Sequence, residues 1–125
     1  MNQQVSKDIN SKELSEWVVE GMLDKKALDV VVMDLRKVKH AIADYFIICS
    51  GNSDTQIDAI SDSIEEQIHK RSKQNPWKRE GRQNKEWILL DYVDVVAHVF
   101  NKEKRTFYGL EELWGDAKIT RIEEN

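Results

Sequence analysis

The sequence predicts an α/β domain in which a small mixed β-sheet carries helices packed against it. Three observations lead there. Two nearly continuous apolar runs, residues 27–35 (ALDVVVMDL) and 44–50 (DYFIICS), lack strict alternation, as strands covered on both faces do. Two stretches repeat apolar residues at helical steps: Leu14, Trp17, Val18 and Met22, then Ile57, Ile60, Ile64 and Ile68. Two further apolar runs, residues 87–90 and 95–100, are separated only by Asp91-Tyr92-Val93-Asp94, which predicts an antiparallel hairpin.

Taken in order, residues 1–10 are polar and predicted to fray. Ser11 is placed to cap a first helix whose apolar stripe, Trp17 included, lies on the sheet. Gly21 and Asp24-Lys25-Lys26 mark its end. After the two first strands, Gly51-Asn52 breaks the chain, and Ser53 with Gln56 has the spacing of a capping box. Asn75-Pro76 stops this second helix. Residues 77–86 read as an irregular strand or loop. Asn101 is placed to cap a last helix with Phe107, Leu110, Leu113 and Trp114 as its stripe and Gly115 as its stop. The division expected is a flexible N-terminus (1–10), one domain (11–116) and a flexible acidic tail (117–125).

Composition narrows the function. The chain has 125 residues, 40% hydrophobic and 34% charged, as an ordinary soluble domain does. No apolar run approaches the roughly 20 residues needed to cross a bilayer, so no membrane partner is expected. The N-terminus lacks a signal-peptide pattern. The one cysteine, Cys49, lies in an apolar strand and reads as a buried hydrophobe. A cytoplasmic setting is the expectation.

Nineteen basic and twenty-three acidic residues give a net charge of −4, against the basic balance of proteins that grip RNA through phosphates. The distribution is uneven. Residues 70–85 hold seven cations and one anion. Part of this suits the negative end of the second helix. Arg79, Arg82 and Lys85 remain as candidates for a peripheral contact with RNA.

No constellation for chemistry is apparent. Strand, glycine turn and helix at Ser50-Gly51-Asn52-Ser53 invite a phosphate reading, but the lysine and glycine spacing of phosphate loops is missing. Asp91 and Asp94 form the one suggestive carboxylate pair. A metal-assisted reaction would use them together, yet aspartates in tight turns also accept backbone amides. His98 sits mid-strand, sharing a face with Val96 and Phe100, without a nucleophile suggested in sequence. His40, His69 and His98 lack metal-ligand spacing, so no metal or cofactor is expected. On the last helix Tyr108, Glu111 and Trp114 recur every three residues, with Glu112 and Arg105 flanking. Either Trp114 plugs the core and Glu111 is solvated, or an aromatic and acidic edge faces a basic protein partner.

Several segments together are specific. ADYFIICSGNSDTQIDAI at 43–60, EG at 80–81, WILLDYVDVVAHVF and FYGLEELWGDA resemble the ribosomal silencing factor family, also called Iojap-like, over about residues 12–117. The family's W-x-x-x-D-x-x-D-x-x-x-H-x-F falls on Trp87, Asp91, Asp94, His98 and Phe100. Its R-x-x-Y-x-L-E-x-L-W falls on Arg105, Tyr108, Leu110, Glu111, Leu113 and Trp114. Gly109 stands where acidic or polar residues are common. The resemblance implies a nucleotidyltransferase-like fold without an enzyme's activity. It also implies binding to the large ribosomal subunit through its fourteenth protein at the intersubunit face, obstruction of small-subunit joining, repression of translation, and in some members a homodimer. Trp87, Asp91, Asp94, His98, Tyr108, Glu111, Glu112 and Trp114 are the residues expected to form or support the docking face. The alternatives are a large-subunit assembly factor touching ribosomal RNA through 70–85, and a nucleotidyltransferase-like enzyme using Asp91 and Asp94.

Overall fold

The computed structural model describes residues 9–105, 109 and 114–123. The first helix, α1, spans Ser11–Asp24, and the second, α2, spans Asp54–Ser72. The strands are β1 (Leu28–Asp34), β2 (Tyr45–Gly51), β3 (Lys78–Glu80), β4 (Trp87–Asp91), β5 (Val95–Asn101) and β6 (Lys118–Arg121). They form one mixed sheet in the order β3-β4-β5-β2-β1-β6, in which β2 and β5 are parallel and every other pair is antiparallel. The predicted class and the β4–β5 hairpin are therefore present.

Every residue of β2 is buried, and six of the seven in β5. Their lack of alternation thus has its cause in two covered faces. On one face lie α1 and α2, which send Leu14, Val18 and Met22 and the four isoleucines of α2 onto Ile47, Cys49, Ala97 and Val99. The opposite face carries Met33, Phe46, Ile48, Val96 and Phe100, with Trp87, Leu89 and Trp114 partly buried against them. Trp17 is only half buried and lies under the Arg71 guanidinium, 5.5 Å from its ring centre.

Several local expectations are corrected. Asn10 rather than Ser11 caps α1: its side chain accepts from the Glu13 N–H, and Glu13 returns the bond to Asn10. Gly21 does not end α1. It lies inside the helix because α2 crosses there; a Cβ at Gly21 would sit 2.8 Å from Ile64 Cα, and Ser63 Oγ donates to the Gly21 carbonyl at 2.8 Å. Only half of the second capping box forms. Ser53 Oγ accepts from Gln56 N–H (3.1 Å), whereas Gln56 Oε1 reaches past Ser53 to Asn52 N–H (2.7 Å). The helix ends at Ser72, before Asn75-Pro76, because Lys73 turns left-handed (φ 63°) and gives its N–H to the His69 carbonyl.

The chain after Asp116 is also different from the loose tail expected. Residues Lys118–Arg121 pair with β1 from Asp34 to Val31. Four residues with exposed side chains carry almost no periodic signal, but the backbone of β1 offers an unpaired edge and β6 satisfies it.

Candidate docking face

The site is built on the sheet face opposite the helices. Pairing of β4 with β5 sets Trp87 beside Phe100 and Leu89 beside His98, and the parallel pairing with β2 brings Ile48 to His98 and Phe46 to Val96. Side chains alternate along a strand, so Phe46, Trp87, Leu89, His98 and Phe100 all reach this face. Trp87 stacks on Phe100 at 5.1 Å. Phe46 meets His98 edge-on at 4.7 Å and Trp114 at 6.0 Å. Ile42, 76% exposed, borders the same depression of about 270 Å³, together with Trp87, Asp91 and Trp114.

His98 is held as a neutral acceptor. Trp87 Nε1–H donates to His98 Nδ1 at 3.0 Å. An accepting Nδ1 places the imidazole proton on Nε2. That nitrogen is buried and has no hydrogen-bond partner among the described residues. Burial drives the pKa of His98 down to about 3. A ring neutral throughout the physiological range, tied to an indole, is a poor proton shuttle; it serves to hold the aromatic cluster together.

The two aspartates do not converge on one cation. Asp91 Oδ1 accepts from Val93 N–H at 2.7 Å, within the β4–β5 turn. Asp91 borders the aromatic depression, whereas Asp94 borders a different hollow beside Ser11, Leu14 and Tyr92. The backbone carbonyl of Asp94 accepts from the N–H groups of Asp44 and Tyr45 (2.7 and 3.2 Å), which fixes the entry of β2. Among the described residues no three His, Cys, Asp or Glu side chains gather as a metal-holding group. At the start of α2, the Asn52 and Gln56 amides are taken by Gln56 Oε1 and Ser53 Oγ, which leaves them nothing to offer a phosphate. Burial pushes the Cys49 thiol far up, so it stays protonated inside the helix-side core.

Tyr108, Glu111 and Glu112 lie outside the described residues. Trp114 is half buried against Phe46. Arg105, at the head of the same segment, is 8% exposed. It donates to the Asp29 carbonyl (2.6 Å) and to Ser50 Oγ (3.1 Å). Asp29 is the left-handed residue (φ 51°) where the β1–β2 register shifts, so Arg105 ties the irregular start of β1 to the end of β2. Sequence reading undervalued Arg105, Phe46 and Ile42. An arginine amid charged neighbours gives no sign of burial, and Phe46 joins the face only through the register of a parallel pair distant in sequence.

The basic residues of the 70–85 stretch are mostly paired. Arg79 grips Glu65 with two bonds of 2.8 Å. Arg82 bonds Asp62 at 2.7 Å, with Asp58 at 3.9 Å and Glu65 at 3.8 Å. Lys85 lies 3.5 Å from Asp58, Lys78 pairs with Glu80, and Arg71 pairs with Glu20. The carboxylates raise the pKa of Arg79 and Arg82 above the ordinary arginine value. Among the described residues no helix is long and apolar enough to cross a membrane.

Among the described residues, a six-stranded mixed sheet with α1 and α2 on one face and an aromatic cluster on the other defines a small α/β protein. The crystal structure of a Chromobacterium violaceum protein has this fold, with a TM-score of 0.79 and 30% identity, covering 86% of this chain and 88% of that one. A Bacillus halodurans crystal structure is similar, with a TM-score of 0.74 and 33% identity over 91% of this chain and all of that one. The family model described as "Ribosomal silencing factor during starvation" matches residues 8–125. The Bacillus subtilis protein named "Ribosomal silencing factor RsfS" is 39% identical over 115 residues, 92% of this chain and 96% of that relative. The chain therefore belongs to the ribosomal silencing factor family.

Proposed function

We propose that this protein silences ribosomes by binding, without catalysing a reaction. In this reading it docks on the large ribosomal subunit through that subunit's fourteenth protein, at the intersubunit face. Its bulk then obstructs the small subunit and lowers translation. The observation that carries the reading is the match to relatives named as ribosomal silencing factors along nearly the whole chain. The aromatic face supports it: half-buried Trp87 and Trp114, backed by buried Phe46, offer rigid apolar area, and exposed Ile42 and half-buried Asp91 rim it. A carboxylate beside aromatics suits a basic ribosomal protein. Asp94 and the buried His98 support this face from behind, through the β2 entry and the Trp87 bond. Tyr108, Glu111 and Glu112 belong to the same proposal.

The test is subunit joining followed by light scattering. Purified small and large subunits should join more slowly and less completely as the protein approaches stoichiometry with large subunits. Joining unaffected at a clear excess of protein would overturn the reading.

A further inference from the structure

Most cations of the stretch that reads as basic in the sequence are paired with carboxylates in the fold. Asp58, Asp62 and Glu65 occupy one row of α2, at steps of four and three, away from the buried isoleucine stripe. β3 and the loop that follows it lie along this row, and Arg79 of β3 with Arg82 and Lys85 of the loop meet the three carboxylates. The fork geometry matters as much as the charge. Arg79 spends two parallel N–H donors on the two oxygens of Glu65, the arrangement by which a guanidinium would hold a phosphate. Arg82 touches all three acids. The loop is also set from within: Gly81 has φ 91°, and a Cβ there would fall 1.9 Å from the Trp87 carbonyl. The cations are therefore presented to α2 by a backbone that only glycine permits at that point.

We propose that the acidic row of α2 is an intramolecular phosphate mimic that keeps Arg79, Arg82 and Lys85 off RNA. An RNA strand approaching this loop has to displace three tethered carboxylates. Those carboxylates then stay within a Debye length of its phosphates and repel them. The device suits a protein that works among ribosomal RNA yet recognises a protein surface. It does not depend on the docking reading, because it concerns naked RNA and the opposite side of the molecule from the aromatic face.

The test uses the full chain and a fluorescent single-stranded RNA of about 20 nucleotides, followed by anisotropy at about 50 and 150 mM KCl. The variant D58N/D62N/E65Q should bind this RNA ~10- to 100-fold more tightly than wild type at the lower salt, since three exposed pairs are removed. Its log K should fall with log salt at a slope of about −2, as three single-strand phosphate contacts give. Adding R79Q/R82Q/K85Q should abolish the gain. The control D24N/E66Q/E123Q, which removes the same charge elsewhere, should not produce it. D62N alone, the mildest change, should give a smaller gain of ~2- to 4-fold and guards against misfolding of the triple variant. Three results would overturn the proposal: no gain in either folded variant, an equal gain in the charge-matched control, or wild type already binding with the steep salt slope.

Discussion

Burial of His98 makes the stability of this protein acid-sensitive in a window where few other groups titrate. In the unfolded chain a histidine takes its proton near 6.5, whereas His98 in the fold waits until about 3. Above 6.5 both states are neutral and the group adds no pH dependence. Below 6.5 the unfolded state binds a proton that the folded state refuses, so stability falls as pH falls. At roughly 1.4 kcal/mol per tenfold change in proton affinity, the loss is about 2 kcal/mol at pH 5 and about 4 kcal/mol at pH 3. Asp34, held below its ordinary 3.8 by the Arg36 guanidinium, adds stability lost only at lower pH. The interval from about pH 7 to 5 therefore lies above the Asp34 contribution. The assay is urea unfolding by circular dichroism across that interval, for wild type and His98→Gln. Gln can still accept from the Trp87 indole but cannot titrate. Wild type should lose about 2 kcal/mol and the variant much less. Equal slopes for the two proteins, or a flat wild type, would refute the buried neutral imidazole.

Other expectations follow from single contacts. Gly21→Ala places its Cβ against the α2 backbone at Ile64, and should cost about 1–3 kcal/mol in urea unfolding. Arg105→Met removes the donor from the part-buried Asp29 carbonyl and from buried Ser50 Oγ, so about 1–3 kcal/mol should be lost, with hydrogen exchange quickening at the start of β1. Val93 is a β-branched residue with φ 78° in a turn where the Asp94 N–H donates to the Tyr92 carbonyl, and it is 57% exposed. Val93→Gly should therefore raise stability, by about 1 kcal/mol, despite the freer unfolded chain. A destabilised Val93→Gly would show that the turn is not strained.

The layers of the fold were legible because burial leaves a mark on composition. The unalternating apolar runs of β1 and β2 and the isoleucine stripe of α2 each record what covers them. The pairing of strands far apart in sequence leaves no such mark. Hence Phe46 beside His98, and β6 against β1, emerge only in three dimensions. Charge counting along 70–85 misled for a related reason. The acids that neutralise Arg79, Arg82 and Lys85 sit on α2, beyond the window in which the cations were counted. Gly21 shows the same limit at smaller scale, since a terminating glycine and a packing glycine look alike until the second helix is in place.

The docking face is most directly tested by sedimentation with large ribosomal subunits, comparing wild type with Ile42→Glu. Ile42 is 76% exposed at the rim of the aromatic depression, so the substitution leaves the core intact while placing a charge where a partner would sit. Wild type should travel with free large subunits and be absent from joined ribosomes, and Ile42→Glu should remain at the top of the gradient with an unchanged melting temperature. Co-sedimentation of Ile42→Glu equal to wild type, or wild type found chiefly on joined ribosomes, would contradict docking through this face.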